Sequence, residues 1–384
     1  MADAARAHVV MLVRNAYTHD TRVEKEARAL VGTGRRVTIV ADAAPGLSER
    51  ESRDGSNVIR VRRPALPVPG LRFLLHQWRL AGRLAALQPT ILHGHDSNAL
   101  VPVALAAARL GVPFVYDAHD LWLGRPRRER SRAYFALNQA WYALVERLTI
   151  PRAAAVITVS RPIADHLRRR YRLRRVHLVP NFPEAVGAGS RRELRDLPGG
   201  DAIDQERPIV LYLGGLMAGR GLEQLVDAVG RVPDAQLVLL GDGVLEQPLR
   251  DRAIRVGTPL VVLPPVSPTA VESYAESAAV GVSPIVPSCL NYRYSLPNKL
   301  FQYMAAGIPV VASDFPQVRE VVEGAACGVV VDTLRPDAIA GAIETILRDP
   351  EAAAAMGARG RAAVRDRYNW ATAAAVLRAV YEEL

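Results

Sequence analysis

Apolar runs of strand length alternate with helix-period segments from one end of the chain to the other. In the first half HVVMLVR, RVTIVA, TILHGH, PFVYDAH, AAVITVS and RVHLVPN read as strands. Between them the apolar spacing predicts helices over 21–32, 72–87, 97–110, 131–149 and 161–170. The first has a marked start. Thr21 and Glu24 fit a capping box, and Val23, Ala27, Leu30 and Val31 form one apolar stripe. The rhythm restarts in the second half with PIVLYLGG, AQLVLLGDG, LVVLPPV, AVGVSPI and IPVVAS. Strands apolar on both faces, alternating with helices, predict an α/β protein with parallel sheets covered on both sides.

A chain of 384 residues exceeds one ordinary core, so two domains are expected. The stretch from 183 to 207 is rich in Gly, Pro and charge and has no period, which marks the junction. The expected division is an N-terminal domain over 1–190, a linker over 191–207 and a C-terminal domain over 208–366. An amphipathic helix over 367–384 ends the chain with no strand after it. Two doubly wound domains facing each other leave a cleft at the carboxyl ends of both sheets, where ligands bind.

Composition narrows the class. Hydrophobic residues at 49% and charged residues at 23% are globular values, and Arg109 and Pro113 break the longest apolar stretch short of a membrane span. The N-terminus enters a strand-like run at once, without a signal-peptide pattern, and there are only two cysteines, Cys289 and Cys327. A cytoplasmic location is expected. The net charge of +10 is concentrated: residues 121–175 hold 14 arginines against Glu129, Glu146 and Asp165, and the rest of the chain is near neutral. Such a face is either simply solvated or suited to an anionic membrane surface at the inner face of the bilayer. Nucleic acid is not expected, because zinc-finger spacing and RNP-like aromatic motifs are missing from the stretch.

The chemistry concentrates in SLPNKLFQYMAAGIPVVAS, residues 295–313. Pro297 suits the first helical turn, and Gly307 with Pro309 stops the helix. Leu300, Tyr303 and Met304 form the core-facing side, while Lys299 and Gln302 share the other. A lysine in the first turn opposes the helix dipole unless an anion sits between them. Free N–H groups beside a lysine make a phosphate cradle; a surface lysine is the bland alternative.

This passage, with VYDAHDLW, VITVS, LVPN and LGGLMAGRGLEQLVDA in the same order, resembles the family 4 glycosyltransferases of GT-B fold, in the branch with Ser-x-Pro-Asn-Lys and Met-Ala-Ala-Gly. The resemblance implies two Rossmann-like domains facing across a cleft, the acceptor on the first, the nucleotide-sugar donor on the second, and a final helix crossing back. It also implies transfer with retention and no obligatory metal or other cofactor. Carried over by position, Arg220 and Lys299 clamp the donor diphosphate with Ser295 and Asn298 beside them. Gln302 stands where a glutamate usually meets the ribose, and Tyr294 replaces the glutamate that usually touches the sugar. Gly215, Gly241 and Asp242 fall near the nucleotide base. His119 matches the histidine beside the transferring sugar, with Asp117 or Asp120 to fix its tautomer. The loop RNAYTHDTR lacks the usual glycine pair, leaving Arg14, Asn15 or His19 to act by side chain.

Two other motifs are weaker. HGHDSN at 93–98 could converge two histidines on a metal; acceptor contact by His95 and Asp96 is the preferred reading. GDG at 241–243 continues to Glu246 and fails the dinucleotide fingerprint. Asp-x-Asp occurs nowhere in the chain. The expected partners are a nucleotide sugar, UDP-linked by family weight, and a lipid-linked or membrane-surface glycan, with a soluble small-molecule acceptor as runner-up. A sugar-nucleotide epimerase, a phosphorylase or a non-catalytic partner on the same fold stay open as alternatives.

Overall fold

A computed structural model of the chain describes residues 7–18, 20–64, 69–126, 131–184 and 191–384; His19 lies outside them, as do Arg127, Arg128 and Arg130 of the basic stretch. The chain forms two compact units, Met1–Asn181 with Ala373–Leu384, and Phe182–Thr372.

In the first unit the strands are β1 (His8–Leu12), β2 (Arg36–Asp42), β3 (Arg50–Arg53), β4 (Ser56–Val61), β5 (Ile91–His95), β6 (Phe114–Ala118), β7 (Ala155–Thr158) and β8 (His177–Leu178). They form one sheet in the order β3-β4-β2-β1-β5-β6-β7-β8, parallel except for β3. The expected strands are all present; the β3–β4 hairpin is an addition. It turns on Asp54 and Gly55 at φ 49° and 77°, the left-handed pair that a tight hairpin requires. The helices are α1 (Thr21–Val31), α2 (Pro69–Ala86), α3 (Leu100–Leu110), α4 (Arg132–Thr149) and α5 (Arg161–Tyr171). One cap differs from expectation: Asp20, not Thr21, accepts the Val23 N–H, which puts Thr21 inside the helix.

The second unit has β9 (Ile209–Leu213), β10 (Gln236–Leu240), β11 (Leu260–Leu263), β12 (Val280–Ser283), β13 (Val310–Ser313) and β14 (Gly328–Val331). All pair in parallel, in the order β11-β10-β9-β12-β13-β14. Its helices are α6 (Leu222–Val229), α7 (Glu246–Val256), α8 (Val271–Ala275), α9 (Leu290–Tyr294) and α10 (Asn298–Ala306). They continue as α11 (Pro316–Ala325), α12 (Pro336–Arg348) and α13 (Pro350–Asp366), and α14 (Trp370–Glu382) carries the chain back, with Ala373–Leu384 belonging to the first unit. The expected linker at 191–207 is corrected: it belongs to the second unit. Leu194 and Ile203 are buried, and the Arg192 N–H bonds the Ser273 carbonyl at 3.1 Å.

Candidate active site

In both sheets the strand order reverses beside the first strand, between β1 and β5 and between β9 and β12. The candidate residues gather at the carboxyl ends of these strands.

In the second unit the anchor is α10. Pro297, at φ −73° and ψ 133°, is the N-cap rather than the first helical residue, and it offers no side-chain cap. The N–H groups of Asn298 and Lys299 consequently have no partner among the described residues. Leu300, Tyr303 and Met304 are buried as expected. The Tyr303 hydroxyl accepts from the Leu213 N–H at 2.9 Å and donates to the Val282 carbonyl at 3.1 Å, tying the helix to β9 and β12. Gly281 makes this packing possible, since a Cβ there would lie 2.3 Å from the Tyr303 ring.

So held, Lys299 is half-buried with Nζ 3.5 Å from the centroid of the Tyr212 ring and against the bare backbone of Gly214. Burial pushes its pKa well below 10.5, and the charge of Arg220 pushes the same way. Arg220 lies 5.3 Å from the centroid of Tyr292, which packs on Gly219; a Cβ at Gly219 would come 2.6 Å from that ring. Among the described residues no carboxylate pairs with either cation. A lysine whose charge desolvation and Arg220 both disfavour, beside that guanidinium and unbonded N–H groups, forms a site suited to an anion.

The remaining donor-side candidates surround this point. Gln302 is half-buried one turn along α10, and Asn298 is exposed. The Ser295 hydroxyl instead closes α9, donating to the Tyr292 carbonyl at 2.8 Å. The loops after β9 and β10 lie together: Leu216 N–H bonds the Asp242 carbonyl at 2.7 Å, and a Cβ on Gly241 would sit 2.3 Å from the Gly214 carbonyl oxygen. Gly215 and Asp242 are exposed beside them.

In the first unit the hub is Asp117, at the end of β6. Arg22 from α1 grips both its oxygens, Nε to Oδ2 at 2.9 Å and Nη2 to Oδ1 at 2.7 Å, and donates from Nη1 to the Val179 carbonyl. His119 Nε2 lies 2.7 Å and His95 Nδ1 3.2 Å from Asp117 Oδ2. Of the two aspartates flanking His119, Asp117 therefore holds it, while Asp120 accepts from Arg125 at 2.9 Å. Burial opposes the Asp117 charge, but Arg22 and His119 outweigh it and hold the carboxyl well below its usual range. Burial likewise opposes charge on His119, yet Asp117 and then Asp96 raise its pKa to about 9. At neutral pH His119 is an imidazolium, a donor and not a base.

His95 is forced the other way, kept neutral by burial, and stacks on His93 at 4.3 Å between centroids. The two histidines of HGHDSN thus share one side of β5, both buried. Asp96, at φ 61° and ψ 167°, adopts a conformation that costs a non-glycine residue about 1–3 kcal/mol. There it accepts from the His119 N–H and from Arg125, both at 3.3 Å. A cavity of about 550 Å³ opens here, lined among others by Arg14, Asn15, His95, Asp96 and His119. Arg14 is paired with Asp42 at 3.3 Å, and Asn15 is fixed by Asp20 at 2.8 Å.

Residues 20–183 match Glycosyltransferase Family 4, and residues 207–349 match Glycosyl transferases group 1, one match on each unit. The chain belongs to the family 4 glycosyltransferases of GT-B fold. Alpha-D-kanosaminyltransferase of Streptomyces kanamyceticus is 27% identical over 90% of this chain and 94% of its own. Sucrose-phosphate synthase from Thermosynechococcus elongatus superposes with a TM-score of 0.79 over 98% of this chain and 99% of that one, at 20% identity. Anabaena HepE in complex with UDP-glucose does so with a TM-score of 0.74 over 98% and 100%, at 15% identity.

In this glycosyltransferase an inner layer behind His119 escaped the sequence reading. Glu26, one turn after Arg22 on α1, lies 3.0 Å from its Nη2, and His93 Nδ1 is hydrogen-bonded with the Tyr381 hydroxyl of α14 at 2.6 Å. Glu26, His93, His95 and Asp117 each offer a ligand atom within 4.8 Å of the others. A metal ion there would compete with the guanidinium that already grips Asp117 and abuts Glu26. Burial outweighs Arg22, whose charge is committed to Asp117, and raises the Glu26 pKa from 4.5 to about 8.

Folded Glu26 keeps a proton that the unfolded chain releases, so stability falls as pH rises from 4.5 to about 8. His119 adds a decline of the same sign between 6.5 and about 9. Glu26→Gln, which cannot ionise, is expected to flatten the first decline and leave the second. Thermal midpoints measured at a series of pH values test this; a variant that tracks the wild type from mildly acid to mildly alkaline pH contradicts a protonated Glu26.

Proposed function

We propose that this glycosyltransferase moves a sugar, with retention of anomeric configuration, from a UDP-sugar to a hydroxyl of a lipid-linked or membrane-surface glycan. The observation that carries the donor half is Lys299 and Arg220, without a carboxylate partner among the described residues, at the open end of α10. A diphosphate supplies the missing charge. The solved HepE complex with UDP-glucose favours uridine as the base.

The reaction breaks the bond between the anomeric carbon and the diphosphate oxygen and forms one to the acceptor oxygen on the same face. The acceptor proton passes to the departing phosphate. Lys299, Arg220 and the free N–H groups of α10 take up the charge that grows there, in place of a divalent cation. Gln302 bonds the ribose with its amide. His119, already protonated, donates a hydrogen bond to the transferring sugar; being unable to accept a proton, it leaves deprotonation to the phosphate.

Among the described residues no helix is long and apolar enough to cross a membrane. The exposed Arg168, Arg169, Arg170, Arg172, Arg174 and Arg175 at and just beyond the end of α5 support work at an anionic membrane surface. Nucleotide release measured with UDP-, GDP- and dTDP-sugars and candidate glycolipid acceptors tests the proposal. UDP-sugars are expected to turn over with chelator present, giving a product of the donor's anomeric configuration. Inverted product, dependence on a metal, or no binding of any donor contradicts it.

A further inference from the structure

A second, larger cavity in the first unit, about 810 Å³, adjoins the one at His119; Arg14, Asn98, Trp122, Tyr134 and Asn138 line both. Its far walls are α2 and α4. Phe73 of α2 meets Trp141 of α4 edge to face, with ring centroids 5.8 Å apart. The walls are largely apolar. His76, 4% exposed, turns its Nε2 to Asp42 Oδ1, 3.8 Å away, and the Trp141 Nε1 is buried without a hydrogen-bond partner among the described residues.

The apolar surface continues outward from the lining. Leu71, Leu74 and Trp78 are 57%, 55% and 68% exposed along one face of α2, and Leu137, Leu144 and Leu148 are 72%, 51% and 49% exposed along α4; of these Leu74 and Leu137 also line the cavity. Apolar side chains at such spacing on the solvent side bury nothing of this chain. Cations accompany them: Arg72, Arg79, Arg132 and Arg147 are exposed on the same two helices. At the cavity itself Arg14 and Arg63 share the single carboxylate of Asp42, at 3.3 and 2.8 Å, and Arg72 has no carboxylate partner among the described residues. Arg14, Arg63 and Arg72 all line the cavity, and the Asp42 carboxylate that takes up the first two also faces His76 at 3.8 Å.

We infer that this groove between α2 and α4 holds the hydrocarbon chain of the acceptor, an isoprenoid-type lipid phosphate. Its phosphate meets the arginine excess, and its glycan end reaches the His119 cavity. This deepens, and rests on, the proposed transfer to a lipid-linked acceptor. A free apolar small molecule accounts for the cavity but not for the cations or for the apolar faces that continue outside it.

The test is calorimetry with farnesyl phosphate, farnesol and inorganic phosphate below the aggregation concentration of the lipids. Farnesyl phosphate is expected to bind saturably, farnesol about tenfold more weakly for want of the charged contact, and phosphate not measurably. Phe73→Asp, which puts a carboxylate on the groove wall, is expected to weaken farnesyl phosphate at least about tenfold. Arg72→Glu is expected to lower the preference for farnesyl phosphate over farnesol. Both sites are exposed, so an unchanged thermal midpoint certifies folding; if either variant fails that check, the comparison rests on the other. No binding of farnesyl phosphate, equal binding of farnesol, or variants indistinguishable from wild type overturns the inference. UDP binding to the second unit is measured alongside: its loss with farnesyl phosphate still bound counts against the donor reading alone, and the reverse against the groove alone.

Discussion

Lys299→Met is expected to lower kcat/KM for the sugar donor by about two to three orders of magnitude, the scale of losing one preorganised donor to a developing anion. The substitution keeps the stem that lies over Tyr212 and removes the charge, so stability is expected to hold or to rise. It rises because the wild-type ammonium is held against desolvation and against Arg220. A depressed lysine pKa also makes donor binding take up a proton at alkaline pH, because the diphosphate restores the ammonium. Calorimetry of UDP binding in two buffers of different ionisation enthalpy reads that uptake directly. The wild type shows it at alkaline pH and Lys299→Met does not; equal proton uptake in both removes Lys299 from the phosphate site.

Asp117→Asn is the second large effect, and it acts on folding and turnover together. The carboxylate neutralises a buried guanidinium, and removing one partner of such a pair costs about 3–5 kcal/mol. His119 also loses the carboxylate that holds it charged and oriented, so its pKa falls from about 9 towards 6.5. The expected variant has a lowered thermal midpoint and a turnover that declines at a lower pH than in the wild type. Adding Arg22→Met separates the two roles. With the guanidinium gone much of the stability returns, because removing both partners of a buried pair is far milder than removing one. Turnover stays low, since His119 is still unsupported. Recovery of turnover in the double variant would assign Asp117 a purely structural role.

Much of this molecule is legible in the pattern of apolar runs. Strands such as IVLYL and QLVLL are buried along their whole length, and a sequence apolar on both faces reports that directly. The β3–β4 hairpin was not, because RESRDGSNVIRV is mostly polar and charged, with few apolar residues. At the candidate donor site Lys299 was readable because Pro-Asn-Lys sits locally at a helix mouth. Tyr212 beneath it was not, since it looks like one more core residue of β9. The layer behind His119 was hidden for a different reason. Arg22 and Asp117 are 95 residues apart, His93 and Tyr381 are 288 apart, and only the fold brings them together. A trace was present: Arg22 and Glu26 are charged residues four apart, flanking the apolar stripe of α1, where solvated side chains are not expected. Arg22 is buried because it meets the Asp117 carboxylate, and Glu26 because burial keeps it protonated beside that pair.

The measurement that bears most directly on the site is calorimetric titration of UDP and of uridine against wild type and the Arg220→Ala, Lys299→Met double variant. In the wild type UDP is expected to bind at least about a hundredfold tighter than uridine, the margin that two charge-assisted contacts supply. In the double variant that margin should collapse while uridine binding is unchanged. A double variant that still prefers UDP by the wild-type margin means that the diphosphate is held elsewhere.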